Sequence, residues 1–279
     1  MINFELVNEQ NYTYRFHKSN SNSNKVVVFI HGFATTSEYF DDFIESFIGD
    51  YNYYAIQLPG HGYAKLNHKK QLDPIFYAEY VAEWIKLKGF EDVVLMGHSM
   101  GGGIALMVAN QLKDLISKLV IITPMNSSSW LSTKSLNVKK TLNVSEEKKL
   151  KFKKYLYFHS EEFFEGENDP KIRDEIAYFV KYLTNFKVLL KRMMALKLRG
   201  ELHKAEKENQ IPTLVIFGEH DGIIPTAFGM SHFQKLGSNY QVVSFNNSAH
   251  LPFEEETKKF SELVLDFINP EKEVQNNEQ

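Results

Sequence analysis

A buried strand that runs directly into a glycine-rich helix is the feature of this sequence that most constrains its fold. Residues 93–96 form a short apolar run of the kind found in strands buried on both faces. The run leads into Gly97-His98-Ser99-Met100-Gly101, and a helical pattern follows at 104–112. So tight a turn needs small residues on both sides of Ser99, and it exposes the serine hydroxyl beside the N-terminus of a helix.

Strand and helix patterns alternate on both sides of this turn. The strand patterns are short and rich in β-branched or aromatic residues, and they lie at 25–30, 53–58, 118–123, 213–217 and 241–245. Amphipathic helix patterns lie between or after them at 73–88, 225–236 and 253–268. This alternation predicts an α/β fold with a mostly parallel central sheet and helices on both faces, and we assign residues 1–124 and 206–279 to this core domain.

Residues 125–205 interrupt the alternation, because they carry no strand pattern. Helix candidates lie at 146–164, 170–186 and 188–198. We predict that the segment is a helical cap, or lid, set above the sheet rather than an independent domain. It holds 17 Lys or Arg against 10 Asp or Glu, so it either faces an anionic lipid or substrate or simply forms solvated helix faces.

A serine hydroxyl becomes a good nucleophile only when a neighbouring base takes its proton. His250 is the best placed base, because it follows the strand pattern at 241–245 on a loop at the carboxyl end, where α/β sheets gather their ligand sites. In sites built around such a serine turn, the partners follow in the order serine, acid, histidine. This order disfavours the histidines that precede or adjoin Ser99.

The acid is expected at the end of the preceding strand, where residues 213–217 lead into Gly218-Glu219-His220-Asp221. We choose Asp221, with Glu219 as the nearest competitor, to hold the imidazole in the required tautomer and to stabilise its protonated form. The alternative role for Asp221 is that of a helix cap before Pro225.

An acyl-transfer site also needs backbone donors for the oxyanion that forms during the reaction. One donor is expected to be the N–H of Met100, directly after Ser99. The other is expected from the loop after the first buried strand, where we assign the N–H of Phe33, and Gly32 gives that loop room to turn.

Taken together, these motifs resemble the α/β-hydrolase superfamily over nearly the whole chain. The matching pieces, in the family's order, are His31-Gly32-Phe33, Leu58-Pro59-Gly60-His61-Gly62, Gly97-His98-Ser99-Met100-Gly101-Gly102, Gly218-Glu219-His220-Asp221 and Ser248-Ala249-His250-Leu251-Pro252. The chain looks most like carboxylesterases and monoacylglycerol-lipase-like serine hydrolases with a helical cap. The resemblance implies Ser99 as nucleophile, Asp221 and His250 as its partners, and an oxyanion hole at Phe33 and Met100. Ala249 departs from the pattern, since relatives often have glycine there.

The resulting hypothesis is a serine hydrolase that cleaves carboxylic esters of small or medium apolar acyl groups through an acyl-enzyme. One alternative uses the same triad in an aminopeptidase resembling proline iminopeptidases, in which the acidic run at 161–165 would bind the substrate amine. Another alternative is a binding protein that keeps the hydrolase scaffold without catalysis.

Composition argues against several other classes. Without cysteine, the chain has no disulfides, thiolate metal sites or cysteine nucleophiles. It contains no H-E-x-x-H, P-loop or G-x-G-x-x-G motif, so we expect no metal and no cofactor. A net charge of −3 disfavours nucleic acid as a partner, and no stretch reaches the roughly 18 apolar residues of a membrane-spanning helix. We expect a cytoplasmic monomer or homodimer that acts on a small-molecule ester without stable membrane insertion, with peripheral contact through the basic cap left open.

Overall fold

The computed structural model describes residues 4–19, 23–41, 43–44, 51–166 and 168–269. Within these residues, eight strands form one sheet in the order β1-β2-β4-β3-β5-β6-β7-β8. The strands are β1 Glu5–Glu9, β2 Tyr12–His17, β3 Val26–Ile30, β4 Asn52–Gln57, β5 Val93–His98, β6 Ile116–Ile122, β7 Thr213–Gly218 and β8 Tyr240–Phe245. From β4 to β8 all neighbours run parallel, and β2 is antiparallel to both β1 and β4. The predicted α/β fold with a mostly parallel sheet is confirmed.

The β1–β2 hairpin at one edge of the sheet was not predicted from the sequence. β1 is exposed or half-buried along its length and contains charged residues at both ends, so it lacks the apolar run that marks the central strands. Its turn is Gln10-Asn11, and the residue at φ 53° is Gln10, although Gly or Asn usually occupies such a left-handed position. The hairpin is thus held by its ladder to β4 rather than by a local sequence preference.

The sheet separates two apolar cores, because successive side chains of a strand point to opposite faces. Val28 and Ile30 of β3 pack in one core with Trp84. Val27 and Phe29 pack in the other core with Phe260. All five residues of β3 are buried, which explains why its sequence is continuously apolar rather than alternating.

Helices cover both faces of the sheet. In the core domain they are α1 Pro74–Leu87, α2 Met100–Gln111, α7 Thr226–Gln234, α8 Pro252–Glu255 and α9 Thr257–Ile268. Asp73 begins α1, since its Oδ1 accepts the Ile75 N–H at 2.9 Å and Pro74 occupies the first turn. The single helix predicted at 253–268 is interrupted at Glu256, where φ and ψ leave the helical region.

The segment between β6 and β7, which we call the insertion, is helical. It contains α3 Glu146–Leu156, α4 Ser160–Phe163, α5 Pro170–Met193 and α6 Leu196–Glu208, with an unpredicted 3₁₀ segment at Thr133–Leu142. The helix expected at 146–164 is therefore two helices, and the break expected near residue 187 occurs after Met193. α6 continues through the predicted domain boundary at residue 205.

The insertion lies over the carboxyl ends of the strands. Tyr182 of α5 donates its hydroxyl hydrogen to the Gly62 carbonyl at 2.6 Å, and Tyr178 accepts from the Gly62 N–H at 3.2 Å. On the other side, Leu156 at the end of α3 accepts the His250 N–H at 2.8 Å. Within the described residues, no helix combines the length and the apolar character needed to cross a membrane. Contact of the basic insertion with an anionic surface stays a prediction.

Candidate active site

Ser99 lies in a strained turn between β5 and α2. Its φ of 54° and ψ of −117° place it outside the regions that non-glycine residues usually adopt. A Cβ at Gly97 would lie 2.3 Å from the Gly101 carbonyl oxygen, and a Cβ at Gly101 would lie 2.1 Å from the Ile30 carbonyl oxygen. The two glycines of the motif are therefore required by close backbone approach, as the sequence predicted.

We expect Gly101→Ala to lower the free energy of unfolding by about 3 kcal/mol, because the new methyl group would force α2 away from β3. Gly200→Ala is the matched control, since Gly200 lies inside α6 and a Cβ there would meet nothing within 4 Å. The control is expected to stabilise the protein by about 0.5–1 kcal/mol through helix propensity. Urea unfolding measures both changes, and equal effects would contradict this account of the turn.

Asp221 and His250 form a buried hydrogen-bonded pair. His250 Nδ1 lies 2.7 Å from Asp221 Oδ2, which assigns the proton to Nδ1 of a neutral ring. The other carboxylate oxygen accepts the N–H groups of Ile223 and Ile224 at 2.7 and 2.8 Å. Asp221 thus contacts the imidazole and at the same time holds the turn before α7. It does not cap that helix, because the N-cap position is Pro225 and no side chain caps it.

Glu219, the competing acid, is exposed to solvent. Its N–H donates to the Phe245 carbonyl at 3.0 Å, which continues the β7–β8 ladder. The N–H of Asp221 donates to the Gly218 carbonyl at 3.3 Å, so the chain turns directly after β7, and this turn buries the Asp221 carboxylate against His250 while Glu219 stays exposed.

The loop that carries His250 is held by groups that the sequence did not indicate. The His250 carbonyl accepts from His98 Nε2 at 2.9 Å and from Thr123 Oγ1 at 3.0 Å. The Ala249 N–H donates to Glu255 Oε2 at 2.7 Å. Ala249 is fully buried. The close packing of this loop against β7 requires a glycine at position 218, because a Cβ there would lie 1.7 Å from the Ala249 carbonyl oxygen.

The two N–H groups predicted for an oxyanion hole lie on segments that adjoin Ser99. A Cβ at Gly32 would be 3.3 Å from Ser99 Cβ, so the loop after β3 passes directly beside the serine. Across the described part of the chain, the N–H groups of Phe33 and Met100 have no hydrogen-bond acceptor. These donors are thus available to an oxygen bound next to Ser99.

Three buried histidines surround this site and support its backbone. His31 Nδ1 donates to the Gly32 carbonyl at 2.9 Å, and its Nε2 accepts the Leu58 N–H at 3.1 Å. Burial lowers the pKa of His31 to about 4. Burial, with the nearby His31, lowers the pKa of His61 well below its usual value, and burial, with the nearby His250, does the same for His98. All three rings are neutral near pH 7.

These three histidines predict a steep loss of stability in acid. Each is neutral in the folded state but binds a proton in the unfolded chain below a pH of about 6.5, so the unfolded state gains protons as the pH falls. The slope for each ring approaches about 1.4 kcal/mol per pH unit only well below pH 6.5, so between pH 7.5 and 5.5 the three together should cost about 4 kcal/mol in total. Urea unfolding between pH 7.5 and 5.5 measures this slope. A slope unchanged in His98→Asn would contradict the assignment.

Ser99 stands where two cavities meet. The first cavity, which we call the apolar arm, has a volume of about 260 Å³, and no charged side chain among the described residues lines it. Its lining includes the apolar residues Met125, Trp130, Leu131, Leu136, Met193 and Met194 and the hydroxyl-bearing residues Ser129, Ser132, Thr133 and Ser135. The second, of about 350 Å³, we call the polar arm; its lining includes Phe33, Glu38, Tyr39, Lys153, Glu175, Tyr178 and His250. Both arms share Ser99, Val138 and Ile223. The acidic run at 161–165 contributes to neither arm, so it gives no support to an amine site beside Ser99.

A second serine, histidine and acid meet away from this site. Glu206 is fully buried and accepts from the Ser127 hydroxyl, from the Ser127 N–H at 2.7 Å and from His232 Nε2 at 2.8 Å. The serine and the carboxylate contact the same ring nitrogen, so His232 cannot relay a proton between them as a triad does. The cluster instead ties the beginning of the insertion to α6 and α7. Elsewhere in the described ranges, no three His, Asp or Glu side chains are grouped so that they could hold a metal ion.

Comparisons with known proteins match the chain along nearly its full length. A family model described as alpha/beta hydrolase fold matches residues 25–257. A Mycoplasma pneumoniae protein named "Putative esterase/lipase 3" is 28% identical over 275 residues, which is 97% of each chain. The pimeloyl-[acyl-carrier protein] methyl ester esterase of Vibrio parahaemolyticus is 25% identical over 248 residues, 86% of this chain and 93% of that protein. The structure of an esterase from Exiguobacterium antarcticum superposes with a TM-score of 0.72 at 21% identity, over 96% of this chain and 99% of that chain.

Proposed function

Because this chain belongs to the α/β-hydrolase fold family, we propose that it is a serine esterase in which Ser99, His250 and Asp221 form the catalytic triad. The observation that carries the proposal is the 2.7 Å hydrogen bond between buried Asp221 and His250, on a cavity that also contains the strained Ser99. The esterase names of relatives that cover most of the chain support the reaction class.

In the proposed reaction, Ser99 Oγ bonds to the ester carbonyl carbon while His250 Nε2 takes its proton. The carbonyl electron pair moves onto oxygen, where the N–H groups of Phe33 and Met100 stabilise the negative charge. When the intermediate collapses, the bond to the alcohol oxygen breaks, and that oxygen takes the proton from His250.

Water then attacks the acyl-enzyme, and His250 accepts one of its protons. The second intermediate collapses by breaking the bond to Ser99 Oγ, which recovers its proton from His250 as the carboxylic acid leaves. Asp221 remains ionised throughout and stabilises the imidazolium that forms twice in each turnover. The helical insertion acts as the cap of this site, since α3 and α5 supply part of the lining of the cavity that contains His250, including Phe152, Lys153, Glu175 and Tyr178.

A fluorophosphonate probe tests the proposal directly, because it phosphonylates only an activated serine. We expect one phosphonyl group per chain on the peptide that contains Ser99, with loss of p-nitrophenyl ester hydrolysis in proportion to labelling. Before labelling, the rates of hydrolysis of p-nitrophenyl esters from acetate to palmitate give the acyl-chain preference of the enzyme. Ester hydrolysis that persists after complete labelling, or labelling of another residue, would reject the assignment.

A further inference from the structure

The structure assigns one half of the ester to each of the two arms. This inference rests on the proposed function. His250 lines the polar arm and, within the described residues, does not line the apolar arm. The leaving alcohol oxygen must take its proton from His250, so the alcohol has to leave on the side of that ring. The acyl chain then occupies the other cavity.

The lining of the apolar arm fits this assignment. Trp130, Leu136 and Met193 surround a space of about 260 Å³ that ends at Ser99. That volume is slightly below the roughly 300–1,000 Å³ of pockets for drug-sized ligands. It therefore suits a medium acyl chain rather than a long one.

The polar arm presents an ion pair to the alcohol half. Lys153 Nζ binds Glu175 Oε2, and both side chains line the cavity while remaining largely shielded from solvent, at 9% and 21% exposed. Behind them the fully buried Lys149 donates to the Thr141 carbonyl at 2.6 Å and approaches Glu175 Oε1 at 3.4 Å. Burial lowers the pKa of Lys149 to about 8, which leaves it mostly cationic at pH 7.

Mixed charge on one wall favours a neutral ligand over an ion. A cationic alcohol would be repelled by Lys149 and Lys153, whereas an anionic alcohol would be repelled by Glu175 and by exposed Glu38 and Asp174 at the same cavity. A hydroxyl group both accepts from an ammonium and donates to a carboxylate, and adjacent hydroxyls can bind both members of the pair at once.

The ion pair also lies between the polar arm and a further cavity of about 590 Å³, so the alcohol has room beyond it. Lys153 and Glu175 line both spaces, and the outer cavity adds the rings of Tyr157, Phe164 and Phe253. We propose that Lys153 and Glu175 select esters whose alcohol is a neutral polyol, such as glycerol or a sugar, with the acyl chain in the apolar arm.

The wild-type enzyme tests the alcohol class with four octanoate esters: methyl, choline, 1-glyceryl and 6-glucosyl. We expect kcat/KM for at least one polyol ester to exceed that for the methyl and choline esters by about tenfold, the effect of one or two hydrogen bonds to charged groups. The polyol ester with the higher kcat/KM shows whether the preferred alcohol is glycerol or a sugar. A methyl or choline ester that equals or exceeds both polyol esters overturns the inference.

Lys153→Met tests the residue, with Lys148→Met as the matched control on an exposed position of the same helix. We expect the polyol-to-methyl ratio of kcat/KM to fall to near one in Lys153→Met, to recover substantially in Lys153→Arg, and to stay at the wild-type value in the control. An unchanged ratio in folded Lys153→Met overturns the role of the pair. Failure to hydrolyse any ester would instead reject the proposed function, so the two failures are distinguishable.

Leu136→Trp tests the orientation, because Leu136 lines the apolar arm and is partly exposed. We expect the octanoate-to-acetate ratio of kcat/KM to fall about tenfold with the alcohol held constant. Leu196→Trp, at an exposed leucine that lines neither arm, should leave this ratio unchanged. If Leu136→Trp changes only the dependence on alcohol size, the assignment of the arms is reversed and the inference fails.

Discussion

Ser99→Ala is expected to lower kcat for ester hydrolysis by about 10⁴- to 10⁶-fold, because Ser99 carries the only hydroxyl that the described residues place where the two arms meet. Binding and the oxyanion donors remain, so slow residual hydrolysis and a nearly unchanged KM are expected. The variant should also lose fluorophosphonate labelling. Steady-state kinetics with a p-nitrophenyl ester and intact-mass measurement follow both changes.

Ser127→Ala is the matched control for this experiment. Ser127 is also buried and lies beside a histidine and a carboxylate, but its hydroxyl donates to Glu206, and His232 Nε2 lies 3.3 Å away and contacts that same acid. We expect it to retain labelling and kcat. If Ser127→Ala abolishes labelling and Ser99→Ala does not, the nucleophile has been assigned to the wrong serine.

Asp221→Asn is expected to lower kcat by about 10³- to 10⁴-fold. The Ile223 and Ile224 N–H groups require an acceptor, so the amide oxygen of asparagine takes the position of Oδ1. The amide NH₂ then faces His250 Nδ1, which must accept and so moves the ring proton to Nε2. Nε2, the proposed acceptor of the Ser99 proton, then already carries a hydrogen and can no longer take one, and the imidazolium loses its anionic partner.

Glu219→Gln controls for the charge change, since Glu219 lies two residues away and is exposed. It should retain wild-type kcat and thermal stability. The pH dependence of kcat, together with near-ultraviolet circular dichroism to verify folding, completes the measurement. Comparable losses in both variants would mean that the local negative charge, and not the orientation of the imidazole, supports the reaction.

Local sequence was sufficient for the elements that have their own signal. The buried run before Gly97 and the glycines around Ser99 specified a strand, a strained turn and a helix, and the structure has β5 and α2 there. Continuous apolar runs likewise marked the central parallel strands, because a strand that is buried on both faces has no solvent-exposed position for a polar side chain. The alternation of strand and helix patterns predicted an α/β fold, and the order of the motifs implied the α/β-hydrolase fold through their resemblance to that superfamily.

The sequence carried no local signal for the features of the structure that depend on residues far apart along the chain. The half-exposed β1 has no apolar run, and its pairing depends on β2, itself held against β4. Helix boundaries in the insertion were misplaced, because an amphipathic pattern continues through Met193 without a cap or proline to mark a break. The choice between two acids in one loop was also open from the chain alone.

The sequence by itself determined which residues carry the candidate chemistry and on which turns they lie, since propensity, glycine sterics and strand patterns act over a few neighbouring residues. Only the tertiary structure decided that Asp221 meets His250, that His98 and Thr123 hold the His250 carbonyl, and that the ring faces the charged arm. These contacts join residues 29 to 152 positions apart. Their geometry is set by how the sheet and the insertion pack, and no local pattern encodes it.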